Sequence, residues 1–119
     1  MIAEYKRCDR IADLLQREIA DLLLRRVKDP RTEGVTITGV RVSSDLQHAR
    51  VFYCVMGSAE AGARDAAADG LDKSKGFMRR ELGKRLHMKH LPHLEFEYDA
   101  SFDYGEKIER LLKELHQDE

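Results

Sequence analysis

Between residues 73 and 90 the chain places seven cations (Lys73, Lys75, Arg79, Arg80, Lys84, Arg85 and Lys89) against a single acid, Glu81. Ammonium and guanidinium groups at that density suit phosphate contact, since each can neutralise a phosphate and release its counterion. The usual fate of a charge run is a solvated helix laced with ion pairs, but Glu81 is the one partner nearby. The excess therefore favours nucleic acid as the partner. Phe77 is the one aromatic in the segment, so base stacking is only weakly signalled.

Other groupings carry less. His87, His90 and His93 repeat at a metal-like spacing, but Pro92 breaks the geometry, and no Cys, Asp or Glu lies between Met88 and Leu94 to complete a zinc site. Ser43, Ser44, Asp45 and His48 are hydrolase residue types crowded into one connection, with no G-x-S-x-G elbow. Asp45 is better read as the acceptor that organises a turn. There is no G-x-x-x-x-G-K-S/T phosphate loop. Neither an enzyme nor a cofactor or metal is expected.

The net charge of −1 hides segregation: residues 95–119 carry nine acids against Lys107, Arg110 and Lys113. Such a dipolar chain presents one surface to a polyanion and keeps another away from it. At 119 residues a single domain spanning 1–119 is expected. No apolar run approaches the roughly 20 residues of a membrane span, and the start "MIAEYKRCDR" has no signal-peptide core. Of the two cysteines, Cys54 lies in an apolar run and reads as a buried thiol, while Cys8 sits among charges. A cytoplasmic protein is expected.

The elements that must position the cations follow from periodicity. Ile11, Leu14/Leu15, Ile19, Leu22/Leu23 and Val27 predict a helix from about Asp9 to Val27, stopped by "KDP". "VTITGVRV" (Val35–Val42) reads as a strand whose apolar parity changes at Gly39, which predicts a β-bulge. "RVFYCVM" (Arg50–Met56) is apolar at both parities and predicts an interior strand buried on both faces, paired with the first as a hairpin. An alanine-rich helix capped by Ser58 is expected next. Leu71, Phe77/Met78, Leu82 and Leu86 continue its stripe, but Gly76 interrupts it and predicts a break into two helices. In "LEFEY", Leu94, Phe96 and Tyr98 face inward and Glu95 and Glu97 outward. A final helix from about Tyr104 to His116 opens on an Asp103/Glu106 capping box. The fold class is thus α+β, a three-stranded sheet packed against helices.

The order α-β-β-α-(kink)-α-β with a C-terminal helix resembles a type II KH domain, although "SKG" (Ser74–Gly76) stands where KH domains carry their G-x-x-G loop. Four segments together resemble the bacterial ribosome-binding factor A family: "KDPR" (Lys28–Arg31), "VSSDLQHARV" (Val42–Val51), "GFMRRELGKRL" (Gly76–Leu86) and "LPHLEFEYDAS" (Leu91–Ser101). The likeness runs from about Arg7 to Leu112. Ser74 takes the alanine position of the family's Ala-x-Gly break, and His93 stands where the family favours glutamate.

The resemblance implies a non-enzymatic factor that binds the free small ribosomal subunit and its 16S rRNA precursor. Late maturation, including the 5′ end region, is the implied task, notably in the cold. Assembly GTPases are candidate partners, and a monomer is expected. The RNA surface it implies is Lys73, Ser74, Lys75, Gly76, Arg79, Arg80, Lys84, Arg85 and Lys89, with Arg7, Arg10 and Arg31 on the N-terminal side. At the break, Gly76 would let two short helices meet so that charges on both flank one RNA backbone. A general single-stranded RNA binder on the same fold, or a protein-interaction module with a basic helix, are the alternatives.

Overall fold

A computed structural model describes residues 2–56, 61–101 and 111–115. The elements run α1 (Ile2–Arg25), a short 3-10 turn (Pro30–Thr32), β1 (Val35–Val42), β2 (His48–Val55), α2 (Ala61–Leu86) and β3 (His93–Tyr98). The sheet order is β1-β2-β3; β1 and β2 are antiparallel, and β2 and β3 are parallel. α2 is the crossover that a parallel pair requires.

The hairpin carries the expected bulge. Pairing slips from Ile37↔Tyr53 to Gly39↔Phe52, leaving Thr38 as the extra residue. The slip keeps Val35, Ile37, Val40 and Val42 opposite Val55, Tyr53, Val51 and Ala49 on one face of the sheet. Thr38 donates its hydroxyl to Asp99 Oδ2 at 2.7 Å, tying the bulge to the chain leaving β3. On the same covered face Leu94 is buried and Phe96 and Tyr98 are half-buried, while Glu95 and Glu97 are exposed, as the alternation predicts.

β2 is the middle strand, but its second face is fully buried only at Cys54. Ala49, Val51 and Tyr53 lie in the core, whereas Arg50 is exposed and Phe52 half-buried on the other side. The reason is that α1 and α2 pack against one face. On the other, the Arg41 guanidinium lies 6.0 Å from the centre of the Phe52 ring. Cys54 is fully buried, and Cys8 donates a weak Sγ hydrogen bond to the Ser43 carbonyl.

Both ends of α1, and the course of the chain through Gly76, differ from the sequence reading. α1 begins at Ile2 rather than near Asp9 and ends at Arg25, where the N–H groups of both Arg26 and Val27 reach the Leu22 carbonyl. The expected pair of helices around Gly76 is one helix, α2, hydrogen-bonded through the glycine. Glycine costs a helix about 1 kcal/mol. Leu71, Met78 and Leu82 are fully buried on either side of it, and each contributes roughly 1.5–3 kcal/mol, so continuity wins. The Ser58 cap and most of the final helix lie outside the described residues. Within them Leu111–Leu115 is helical, with Leu111, Leu112 and Leu115 exposed. No helix among the described residues is long and apolar enough to cross a membrane.

Candidate nucleic-acid interface

α2 sorts its cations by angle around the helix. Lys73, Gly76, Arg80 and Lys84 are exposed, and their spacing of three, four and four residues stacks them along one face. This ridge is about 16 Å long. Arg80 makes no ion pair among the described residues, and Lys84, with its side chain 76% exposed, sits a loose 3.9 Å from Glu81 Oε1. A Cβ at Gly76 would meet nothing within 4 Å. The glycine therefore opens a notch in the ridge toward solvent, between Lys73 and Arg80, and makes no room for another part of this chain.

A second group of the expected cations is engaged within the chain. Arg85 turns toward α1, where its Nη1 donates to Glu18 Oε2 and Asp21 Oδ2, both at 2.8 Å. That clamp holds the Asp21 carboxyl below the usual carboxylate range, chiefly through the guanidinium hydrogen bond. Arg31 forms a fork on Asp29, Nε to Oδ1 at 3.0 Å and Nη2 to Oδ2 at 2.7 Å. Its backbone N–H adds a third bond, and together these hold Asp29 down to about 2. Lys75 lies 3.6 Å from Asp72 on the preceding turn, and Ser74 is half-buried. Glu18 and Asp21 were missed as partners because they stand more than sixty residues from Arg85; their i,i+3 spacing beside the Ile19/Leu22 stripe was the available signal.

The third group converges elsewhere. Arg7, Arg79 and Lys89 line a groove of about 940 Å³ between the start of α1, the β1–β2 turn and the connection into β3. Arg79 is half-buried and donates from Nη2 to the Leu91 carbonyl at 3.3 Å. Arg10 is exposed on α1, one turn beyond Arg7.

The packing behind the ridge rests on a glycine that the sequence reading passed over. Gly70 is buried where α2 crosses the 3-10 turn, and a Cβ there would lie 2.9 Å from Thr32 Cγ2 and 3.1 Å from Arg31 Cβ. The close approach needs glycine at 70, as the ridge does not at 76.

The remaining groupings do structural work. Ser43 donates its hydroxyl to Asp45 Oδ1, Gln47 N–H donates to the same oxygen, and His48 contributes its backbone N–H to Ser43 Oγ. The imidazole takes no part, so the trio closes a turn. Those bonds keep the Asp45 carboxyl low. His87 adopts a left-handed φ of 50° directly after α2 and ends the helix. The His48 and His93 rings sit 6.0 Å apart, and no group that could hold a metal ion is found among the described residues.

The family model for ribosome-binding factor A matches residues 7–112. The chain is 65% identical over 116 residues to ribosome-binding factor A of Syntrophobacter fumaroxidans, covering 98% of this chain and 99% of that one. It is 49% identical over 113 residues to the Latilactobacillus sakei protein of the same name, covering 95% of each. The crystal structure of ribosome-binding factor A from Thermus thermophilus superposes with a TM-score of 0.67 at 24% identity, over 76% of this chain and 93% of that one. A Thermus thermophilus homology model fitted into a cryo-EM map of a 30S–ribosome-binding factor A complex gives 0.59 at 28% identity, over 72% and 88%. The fold is α+β and KH-like, and the chain belongs to the ribosome-binding factor A family.

Proposed function

We propose that this chain is a small-subunit assembly factor: it binds the free small ribosomal subunit and its precursor and assists late maturation of 16S rRNA, including the 5′ end region. The observation that carries the reading is the exposed ridge of Lys73, Arg80 and Lys84 around the Gly76 notch, in a chain whose structural relative is fitted into a 30S complex. A row of cations with a gap for close approach recognises a phosphate backbone by position and charge, without reading sequence. The factor acts by binding in the cytoplasm, as a monomer, and assembly GTPases cooperate with it. Its importance is greatest in the cold, when misfolded RNA rearranges slowly.

Gradient sedimentation tests this directly. The protein should travel with free small subunits and not with whole ribosomes, and cells lacking it should accumulate precursor 16S rRNA on cooling. Equal binding to unrelated RNA would favour a general RNA-binding protein. Absence from all ribosomal fractions would favour a protein-interaction module.

A further inference from the structure

The groove between α1, the β1–β2 turn and the α2–β3 connection is a separate feature from the ridge. Its cations are Arg7, Arg79 and Lys89, and its one acid is Asp45. The Ser43 hydroxyl and the Gln47 N–H hold Asp45 in the turn as a carboxylate, and three cations against that one acid leave the groove with a positive excess. Arg79 is the informative residue. Its Nε is buried with no hydrogen-bond partner, and it makes no ion pair among the described residues. A guanidinium half withdrawn from water without a counter-charge is costly, and the arrival of an anion relieves that cost.

The rest of the lining is not what a bare anion needs. Leu46, Met88 and Leu91 supply an apolar wall, Gln47 an amide, and His90 and His93 planar rings. The volume of about 940 Å³ falls in the range of small-molecule sites. Cations beside an apolar wall with planar and amide groups match a nucleotide, which joins a phosphate to a flat base.

We propose that this groove takes one nucleotide splayed out of a single-stranded RNA, its phosphate on Arg7, Arg79 and Lys89 and its base against Leu46, Met88 and Leu91. The inference rests on the reading of the chain as an RNA-binding ribosome factor and gives it a second, single-strand-selective contact. The α2 ridge accepts backbone from paired or unpaired RNA, whereas the groove requires a base that is free to leave its stack.

The test uses the full chain, isotopically labelled for amide NMR, with three probes: a single-stranded hexaadenylate, an RNA duplex of equal length, and inorganic phosphate. Hexaadenylate should shift the amides of Gln47, Lys89 and His90, while the duplex shifts those around Gly76 and Arg80 alone. The Arg7→Glu/Lys89→Glu pair, both exposed positions, should lower hexaadenylate affinity about tenfold or more and leave the duplex response intact. Leu46→Gly guards against a folding artefact. Leu46 has a φ of 61°, which glycine adopts without strain, so the variant should fold and still lose hexaadenylate affinity. Unmoved groove amides, or shifts that phosphate alone reproduces in full, would overturn the proposal. Small subunits that bind while the groove stays silent would reject the groove and keep the function; the reverse would reject the function and keep the groove.

Discussion

Gly70 and Thr32 meet so closely that a single added carbon at 70 would stand 2.9 Å from Thr32 Cγ2. Thr32 is itself buried, and its hydroxyl donates to the Asp29 carbonyl, so it cannot swing aside freely. Gly70→Ala should gain up to about 1 kcal/mol of helix propensity and lose roughly 1–3 kcal/mol to overpacking, for a net loss. Adding Thr32→Ser removes the clashing methyl and should restore part of that loss. A double-mutant cycle by thermal melting checks the coupling; additive effects would show that the two residues do not share the strain.

Gly76 should behave in the opposite way. Its surroundings are open and α2 runs through it. Gly76→Ala should therefore stabilise the fold by up to about 1 kcal/mol. The added methyl fills the notch between Lys73 and Arg80, so small-subunit affinity should fall in the same protein. Melting paired with co-sedimentation reads both; a stabilised variant that binds as tightly as the parent would remove the notch from recognition.

Arg79 and Arg80 are neighbours with different fates. Arg80→Glu with Lys84→Glu should weaken subunit binding more than about tenfold while changing stability by no more than about 0.5 kcal/mol each. Arg79→Glu should instead lower the melting temperature, because its side chain is half-buried against the Leu91 carbonyl. Arg85→Gln should also destabilise, by removing the cation that bridges Glu18 and Asp21 and leaving Asp21 with Arg25 alone, with a smaller effect on binding than the Arg80/Lys84 pair. A large binding loss in folded Arg85→Gln would return that residue to the RNA surface.

Salt should weaken subunit binding steeply. With about five phosphates neutralised, log K should fall against log salt with a slope of roughly −3 to −5. Reversing Arg80 and Lys84 should flatten that slope. A near-flat dependence in the parent would mean that the contacts are apolar.

Acid should expose the Asp29 contact. Its carboxyl is held down to about 2 by Arg31, first through the guanidinium and then through the backbone N–H. A depressed carboxyl stabilises the fold above its unfolded pKa, and that contribution is lost as pH falls through the folded one. The loss should therefore run from about pH 4 to about pH 2. Asp29→Asn should be less stable at neutral pH and show a flatter acid limb in urea melts. An unchanged acid limb would show that the fork contributes nothing.

Local chemistry was legible in the chain, and distant chemistry was not. The parity change from Val35 and Ile37 to Val40 and Val42 announced a bulge at Gly39, one residue from the extra residue Thr38, and Asp45 announced its turn, because both depend on residues within a few positions. The cation excess of α2 was equally visible, since it needs only a count along the chain. Which of the cations face solvent was not, since a helix fixes only relative angles until its neighbours are placed. Docking α1 against α2 drew Arg85 onto Glu18 and Asp21, whereas Arg31 took its partner Asp29 from two residues away, a local pair that a count of charges did not reveal. Gly76 looked like a breaking point by propensity alone, yet burial of Leu71, Met78 and Leu82 carried the helix through it. The sequence by itself determined the three strands, the helical segments that flank them and the cation excess along residues 73–90, but not the continuity of α2. Tertiary packing alone decided that Arg85 is engaged, because a counter-ion on α1 becomes its neighbour only after the core has closed.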